Sequence, residues 1–349
     1  MVARRSLATG VLVALFAMAH VHGAQGQAPA GAAQAPAPGA PQGQGPAGQA
    51  PAGRGAGGGR GGGGGGFPGR GPAFTPAPGA KDLKSVLYNW TWHMGMLRSG
   101  AESELIKTLD YHADGGTIQV NGQACAITKA RIQANYQIPG YRTQIECTLP
   151  NKQTYKNVET MSGDFAWDED IPGAELVPGK GKATPKPATL EERRIRLWAS
   201  PQGAPKAAIA GAAGMPTTES FGKNPATLLE TQEKAGVKGT TTLAWQGDKA
   251  IVTYPIPGVP GAVATATLDS TFLPERVVVK SGTTTTEFVY SNFQDFNNPL
   301  FKIEALMPAT MVERRNGAVV RELKSKVTEI GQIYVIVPVP DSVRKAGGK

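Results

Sequence analysis

The last third of the chain, from Gly239 to Pro340, is a succession of short segments in which apolar and polar residues alternate. A period of two is typical of strands that bury one face and expose the other. Turn residues separate the segments, and Asn316-Gly317 is the strongest hairpin signal because both residues tolerate positive φ. The pattern predicts one continuous, curved antiparallel meander with strands over residues 240–245, 250–254, 263–268, 275–280, 283–290, 311–315 and 318–327.

A helical pattern stands at the start of the region that can fold. Its apolar residues recur on one face of a 3.6-residue period, at Leu83, Val86, Leu87, Trp90, Met94 and Leu97. This spacing predicts a helix over Asp82–Arg98 with Asp82 as its cap, and a second short helix is expected over residues 102–109. The glycines of Asp114-Gly-Gly116 then indicate a turn before a strand that begins at Thr117.

Helical signals return between the two β-rich regions. Thr189 and Glu192 have the spacing of a capping box, which predicts a helix that ends at Trp198. Residues 206–213 are rich in alanine, and Asn224-Pro225 marks the start of a further helix because proline is favoured at the first helical position. Helices cluster apart from strands, so the sequence predicts an α+β fold: a strongly curved, open antiparallel sheet, or half-barrel, covered by helices. We expect one α+β domain over residues 81–345, with a helical insertion at about 187–237.

Residues 125–154 alternate again and contain the two cysteines of the chain, Cys125 and Cys147. Two cysteines in an oxidising compartment most simply form one disulfide. A catalytic thiol is the rival interpretation, but no histidine and carboxylate partners accompany either cysteine. A tight turn at Pro139-Gly140 would leave the two cysteines out of direct opposition, so adjacent strands or a bulge must bring them together.

The N-terminal residues have a composition unlike the rest. Residues 1–24 combine a basic start, a short apolar run and small residues, which predicts a secretory signal peptide and a periplasmic or secreted protein. Residues 25–80 consist almost entirely of Gly, Ala, Pro and Gln and predict a disordered linker. The recurrent Arg-Gly pairs leave open a polyanion-binding tether, although a flexible spacer is the simpler reading.

Charge argues against nucleic acid as a partner of the domain. The formal net charge is +9, but five of the 36 basic residues lie in residues 1–80. The remaining 31 face all 27 acidic residues, which leaves about +4 on the domain. We therefore predict no nucleic-acid partner, no membrane span and no cofactor, while a protein partner in the cell envelope stays open.

Four carboxylates fall within seven residues, at Asp164, Asp168, Glu169 and Asp170. A solvated acidic loop, a weak cation site and a pair of acid and base carboxylates are the three interpretations. The spacing is not that of an EF-hand. His93 and His112 are the only histidines beyond the signal peptide and cannot alone form a catalytic zinc site, so no metal is predicted.

The end of the chain carries a loose resemblance. Its segments Leu273–Val277, Phe288–Ser291, Met307–Met311 and Val337–Pro340, with the Gly317 hairpin, follow one another as in the periplasmic lipoprotein-carrier superfamily, the LolA-like proteins. The layout from Leu83 to Pro340 resembles that superfamily. The resemblance implies a strongly curved sheet closed by helices, with an apolar cavity that holds acyl chains.

These observations favour a non-enzymatic protein that binds an apolar or amphipathic, lipid-like ligand. A curved sheet under helices encloses more concave apolar surface than side chains readily fill, and a ligand would need about 300 Å³ or more. The expected lining residues are Trp90, Trp198, Trp245, Phe288 and Tyr290. Two alternatives remain: a structural or protein-interaction module of the envelope without a ligand cavity, and a hydrolase built on the acidic residues 164–170.

Overall fold

The computed structural model describes residues 76–97, 106–295, 305–330 and 335–347. The predicted signal peptide and the predicted linker up to residue 75 lie outside the described residues. In the described part of the chain, no helix is long and apolar enough to cross a membrane.

In the described residues, a single antiparallel sheet of thirteen strands organises the fold. Strands β1 to β6 form one meander, strands β7 to β13 form a second, and pairing of β1 with β13 joins them. The expected curved, open sheet and the α+β class are confirmed. The strands are β1 (Thr108–Val120), β2 (Gln123–Asn135), β3 (Gly140–Thr148), β4 (Thr154–Ser162), β5 (Phe165–Glu169), β6 (Ala183–Pro185), β7 (Thr242–Gln246), β8 (Lys249–Pro255), β9 (Val263–Leu268), β10 (Pro274–Ser281), β11 (Thr284–Asp295), β12 (Leu306–Arg315) and β13 (Ala318–Ile330).

The second meander follows the alternation of the sequence closely. All seven predicted strands are present, and β9 has the predicted bounds. Asn316 and Gly317 have φ values of 48° and 85°, so the Asn-Gly hairpin between β12 and β13 is confirmed.

Strand β1 departs from the expectation. It runs through Asp114-Gly-Gly116 without turning, because the two glycines form a bulge at which the register with β13 shifts. The predicted turn is therefore wrong. The helix expected over residues 102–109 is wrong at its end, where β1 begins at Thr108, and residues 102–105 lie outside the described part.

The disulfide between Cys125 and Cys147 is present, with 5.5 Å between the two α-carbons. In the β2–β3 register, Cys147 lies opposite Ile127 rather than opposite Cys125, and the register shifts between Ile127 and Lys129. The cysteines are thus diagonal neighbours on adjacent strands next to a bulge, which is the arrangement that the spacing requires.

Six α-helices accompany the sheet in the described residues: α1 (Leu83–His93), α2 (Leu190–Trp198), α3 (Gly203–Ala213), α4 (Thr217–Ser220), α5 (Pro225–Lys234) and α6 (Asp341–Ala346). Asp82 caps α1 by accepting from the backbone N–H of Ser85, and Asn224 caps α5 in the same way. Thr189 makes no such bond because it ends a 3₁₀ turn (Pro187–Thr189) that runs directly into α2. The predicted capping box is therefore wrong, although α2 ends at Trp198 as predicted.

Helix α2 crosses the concave face of the sheet. The guanidinium of Arg196 contacts Glu159 on β4 at 2.9 Å and Glu313 on β12 at 3.0 Å. These strands are five positions apart in the sheet, or about 24 Å if the sheet were flat. One side chain reaches both only because the sheet curls around the helix.

One hydrophobic core joins the sheet to helices α1, α2, α3 and α5. A smaller cluster of Trp167, Ala174, Ala183, Val337 and Val343 packs α6 against β5 and β6. The larger core fills most of the space beneath the helices, which bears on where a ligand could bind.

Candidate functional site

The interior of the half-barrel is held by ion pairs beneath α2. Besides Glu159 and Glu313, Arg196 contacts Glu192 one turn earlier, and Glu313 also pairs with Arg321 on β13 at 2.9 Å. Burial alone would raise the pKa of Glu313, but Arg196 and Arg321 outweigh it and lower that pKa to about 2. The network bonds α2 to both meanders of the sheet, through Glu159 on β4 and Glu313 on β12. It also compensates the charge of Glu313.

The space that remains next to this network is small. A cavity of about 30 Å³ is lined by Tyr111, Tyr141, Phe288 and Tyr290, together with the charged groups. That volume suits one or two water molecules and is about a tenth of a small ligand site. The centre of the half-barrel is therefore filled by protein side chains.

A second small space, of about 20 Å³, lies against the buried amine of Lys206 on α3. The Lys206 Nζ stands 5.1 Å from the ring centre of Tyr136 and 5.0 Å from that of Phe221. Burial lowers the pKa of Lys206 well below its usual range, since the amine has little access to water. This space is also too small for a ligand.

A ligand-sized space lies instead at the rim, where α2 and α3 meet the strand ends. We call it the α3 cleft; it has a volume of about 750 Å³. Its lining comes from α2 and α3, the α3–α4 turn, the residues before β7, the β8–β9 connection, and the turns at Pro139 and Gly163-Asp164. Ligand sites of proteins commonly enclose about 300 to 1,000 Å³, so the α3 cleft is large enough to hold one.

The floor of the α3 cleft is apolar because α3 carries alanine and glycine there. Ala207, Ala210 and Gly211 line it, with the ring of Trp198 from α2. Gly211 also lets α3 approach the sheet, since a β-carbon at this position would lie 2.5 Å from Thr241 Oγ1 and 3.0 Å from Pro255. Larger side chains on this helix would fill the cleft or push α3 away.

Two basic side chains stand in the walls of the α3 cleft. Arg194 on α2 bonds to the carbonyl oxygen of Gly258 at 2.7 Å and to the carboxylate of Asp164 at 2.7 Å, so it ties two walls together. Lys238 is exposed on the opposite segment before β7. Because Asp164 compensates the charge of Arg194, Lys238 is the basic side chain that would face an anionic group, and an apolar floor beside it suits a ligand with an apolar part and such a group.

The structure scatters the aromatic residues that the sequence selects as a lining. Trp198 reaches the α3 cleft, and Phe288 and Tyr290 share the 30 Å³ interior cavity. Trp90 is fully buried in the core. Trp245 is half-buried on β7 and donates to the carbonyl oxygen of Lys81. They do not converge on one site.

The four clustered carboxylates are likewise separated by their partners. Residues 165–169 form β5, so the expected acidic loop is wrong. Asp164 pairs with Arg194, Asp168 with Arg193, and Glu169 with Arg142, while Asp170 accepts from the backbone N–H groups of Ile171 and Lys182. Among the described residues, no group of three or more histidine, cysteine or carboxylate side chains is placed to hold a metal ion.

Sequence reasoning missed the α3 cleft because its lining is mostly small residues, which carry no chemical signature. The sequence does contain both segments: a helix rich in alanine and glycine, and the later Pro255-Ile-Pro-Gly258. Both have mostly small side chains that leave space between them when they are neighbours. Only the fold shows that they face each other.

Comparison with known proteins gives a distant likeness. No protein-family model and no curated protein matches the chain. A crystal structure described as an outer membrane lipoprotein-sorting protein domain from Vibrio parahaemolyticus is similar to it, at 7% identity and a TM-score of 0.32, over 75% of this chain and 97% of that chain. Membership of the LolA-like superfamily stays a prediction from the sequence.

Proposed function

We propose that the protein binds an amphipathic, lipid-like ligand in the α3 cleft, without catalysis. The observation that carries the proposal is the combination of a cleft of about 750 Å³ with an interior reduced to cavities of about 20 and 30 Å³. The apolar part of the ligand would lie on the alanine and glycine face of α3, against Trp198. Its anionic group would meet Lys238, since Arg194 is already paired with Asp164.

A second open cleft, of about 590 Å³, lies between the start of α1, the end of α3 and α5. Asp82 and Glu233 outnumber Lys84 in its lining, which disfavours an anionic group, and Asp82 is occupied as the cap of α1. The α3 cleft is therefore the better candidate.

The setting that we propose is periplasmic or extracellular. The Cys125–Cys147 disulfide supports it, because such bonds persist in oxidising compartments. A carrier of amphipathic molecules is useful in such an aqueous compartment, where apolar chains need cover from water.

Binding is tested with a fluorescent fatty acid titrated into the purified protein. We expect saturable binding and a change in tryptophan emission, because Trp198 borders the α3 cleft. Thr218 lines the cleft and is exposed, so Thr218→Trp fills the space without disturbing the core and should weaken binding about tenfold. Thr227→Trp, at an exposed position on α5 away from the cleft, is the matched control.

Charge selectivity is a second measure of the same site. Lys238→Glu should weaken the fatty acid but leave the corresponding neutral alcohol unchanged. The absence of saturable fatty-acid binding to the wild-type protein would contradict the proposal. Equal losses of affinity in Thr218→Trp and Thr227→Trp would show that the ligand binds outside the α3 cleft.

The packed interior favours one alternative, a protein-interaction module without a ligand. Strand β7 supports it further, since it forms one edge of the sheet in the part of the chain that the structure describes, and an edge strand can pair with an added strand. A protein that copurifies with the wild type but not with a Thr242→Pro variant of this edge, together with no fatty-acid binding, would establish the alternative.

A further inference from the structure

The loop between β5 and β6, residues 170–182, presents an unusual surface. Three large aliphatic side chains on it are exposed: Ile171 at 47%, Leu176 at 45% and Val177 at 51%. Pro172 and Pro178 beside them are exposed as well. Single exposed apolar residues are common on protein surfaces, whereas apolar patches mark interaction sites, and these three side chains lie within seven residues of one loop.

The backbone of this loop is fixed by its own hydrogen bonds. The N–H of Glu175 donates to the carbonyl oxygen of Lys180 at 2.8 Å. The N–H of Lys180 donates to the carbonyl oxygen of Val177 at 3.0 Å. The buried carboxylate of Glu169 accepts from the N–H of Gly173 at 2.6 Å, and Ala174 is fully buried in the small cluster with α6. The hydrogen-bonded backbone of the loop thus keeps the side chains of Ile171, Leu176 and Val177 exposed.

Lysines outnumber carboxylates along residues 170–186, by three to two. Lys180 and Lys182 are exposed on it, and Lys186 follows just beyond β6. Its two acidic side chains, the exposed Asp170 and the half-buried Glu175, are held by the backbone: Asp170 accepts from the Ile171 and Lys182 N–H groups, and Glu175 accepts from the Ala183 N–H at 2.9 Å. The outer surface therefore combines aliphatic side chains with lysines.

We infer that this loop docks onto the surface of an anionic lipid bilayer. Aliphatic side chains insert at the boundary between headgroups and acyl chains, and lysines beside them are attracted to anionic headgroups. A protein partner fits less well, because interface cores are enriched in aromatic residues, methionine and arginine and depleted in lysine. Residues 170–186 contain no aromatic residue, methionine or arginine. The inference uses residues outside the α3 cleft and does not depend on the proposed function.

The first test is sedimentation of the purified protein with vesicles of phosphatidylcholine, with and without phosphatidylglycerol. We expect Leu176→Ser/Val177→Ser to reduce partitioning about tenfold. Lys180→Gln/Lys182→Gln should reduce it by roughly fivefold per lysine on anionic vesicles only. The matched controls are Val263→Ser/Val319→Ser and Lys152→Gln/Lys280→Gln, exposed positions on other strands and turns.

A location-specific readout is available because both cysteines are in the disulfide. Val177→Cys and, as control, Val263→Cys can each carry one environment-sensitive fluorophore. We expect the label at residue 177 alone to brighten and shift to the blue on anionic vesicles. Equal responses of the two labels, or equal partitioning of the loop and control variants, would overturn the inference. Loss of self-association in the Leu176→Ser/Val177→Ser variant, with vesicle binding unchanged, would assign the loop to a contact between copies instead.

Discussion

At the scale of single residues, the joint between the two meanders depends on Gly116. This residue lies in β1 with a φ of 96°, a conformation that residues with a side chain rarely adopt. A β-carbon there would lie 2.1 Å from the carbonyl oxygen of Glu322 on β13, closer than any real contact. Glycine is therefore required where β1 and β13 pair.

Replacing this residue should destabilise the whole fold, because the pairing of β1 with β13 joins the two meanders. We expect Gly116→Ala to lower the free energy of unfolding by more than about 2 kcal/mol in urea denaturation, since strain and a backbone clash add. Gly122→Ala is the matched control: its φ is 77°, but no atom lies within 4 Å of the added carbon, so only the strain of about 1 kcal/mol applies. Equal losses in both variants would show that the clash is relieved elsewhere.

Residue-level prediction from the sequence succeeded where neighbours in the chain decide the outcome. The caps at Asp82 and Asn224 and the Asn316-Gly317 hairpin depend on a few adjacent residues. It failed at Thr189, where the preceding Pro187 starts a 3₁₀ turn that removes the need for a cap. Caps and turns can thus be predicted from a few adjacent residues, unless a neighbouring element changes the backbone conformation at that position.

At the scale of elements, helix α2 is the connector of the domain. Its three arginines each reach a different part of the structure: Arg193 donates to the carbonyl oxygen of Trp167, Arg194 bonds to Gly258, and Arg196 bonds to Glu313. On a helix, such a group of charged side chains is most simply a solvated face. The curl of the sheet turns these side chains inward, which a helical pattern cannot reveal.

Acid should loosen this connector. The pKa of Glu313 is about 2 in the folded protein and lies near 4.5 in the unfolded chain, so its ionised form stabilises the fold at neutral pH. That contribution is complete above pH 4.5 and is lost as the pH falls toward 2, and it amounts to roughly 3 kcal/mol.

Urea unfolding measured at successive pH values tests this expectation. Glu313→Gln should be less stable at neutral pH and should lose about 2 kcal/mol less than the wild type between about pH 6 and pH 2.5. Glu233→Gln, at an exposed site on α5, should follow the wild type. Parallel pH curves for Glu313→Gln and the wild type would contradict the role of this carboxyl group.

At the scale of the whole molecule, two meanders of the chain form one curled sheet, and the helices fill its concave side. Alternation in the sequence was sufficient for the strands of the second meander and for the α+β class, because period two is a local property, but it did not predict β4, β5 and β6. The volume of the interior was not predictable, since it depends on how side chains such as Trp90, Tyr290 and Arg196 share one space. The α3 cleft depends on small residues of distant segments that only the fold brings together.

The central claim, that an amphipathic ligand occupies the α3 cleft, is tested most directly by photoaffinity labelling with a diazirine-bearing fatty acid. Mass spectrometry of the labelled protein locates the attachment. The account predicts labels on residues 207–218 and 255–258, reduced by an excess of unlabelled fatty acid and by Thr218→Trp. Labels concentrated on interior strands around Phe288 and Tyr290, or competed labelling of residues outside the α3 cleft, would contradict it.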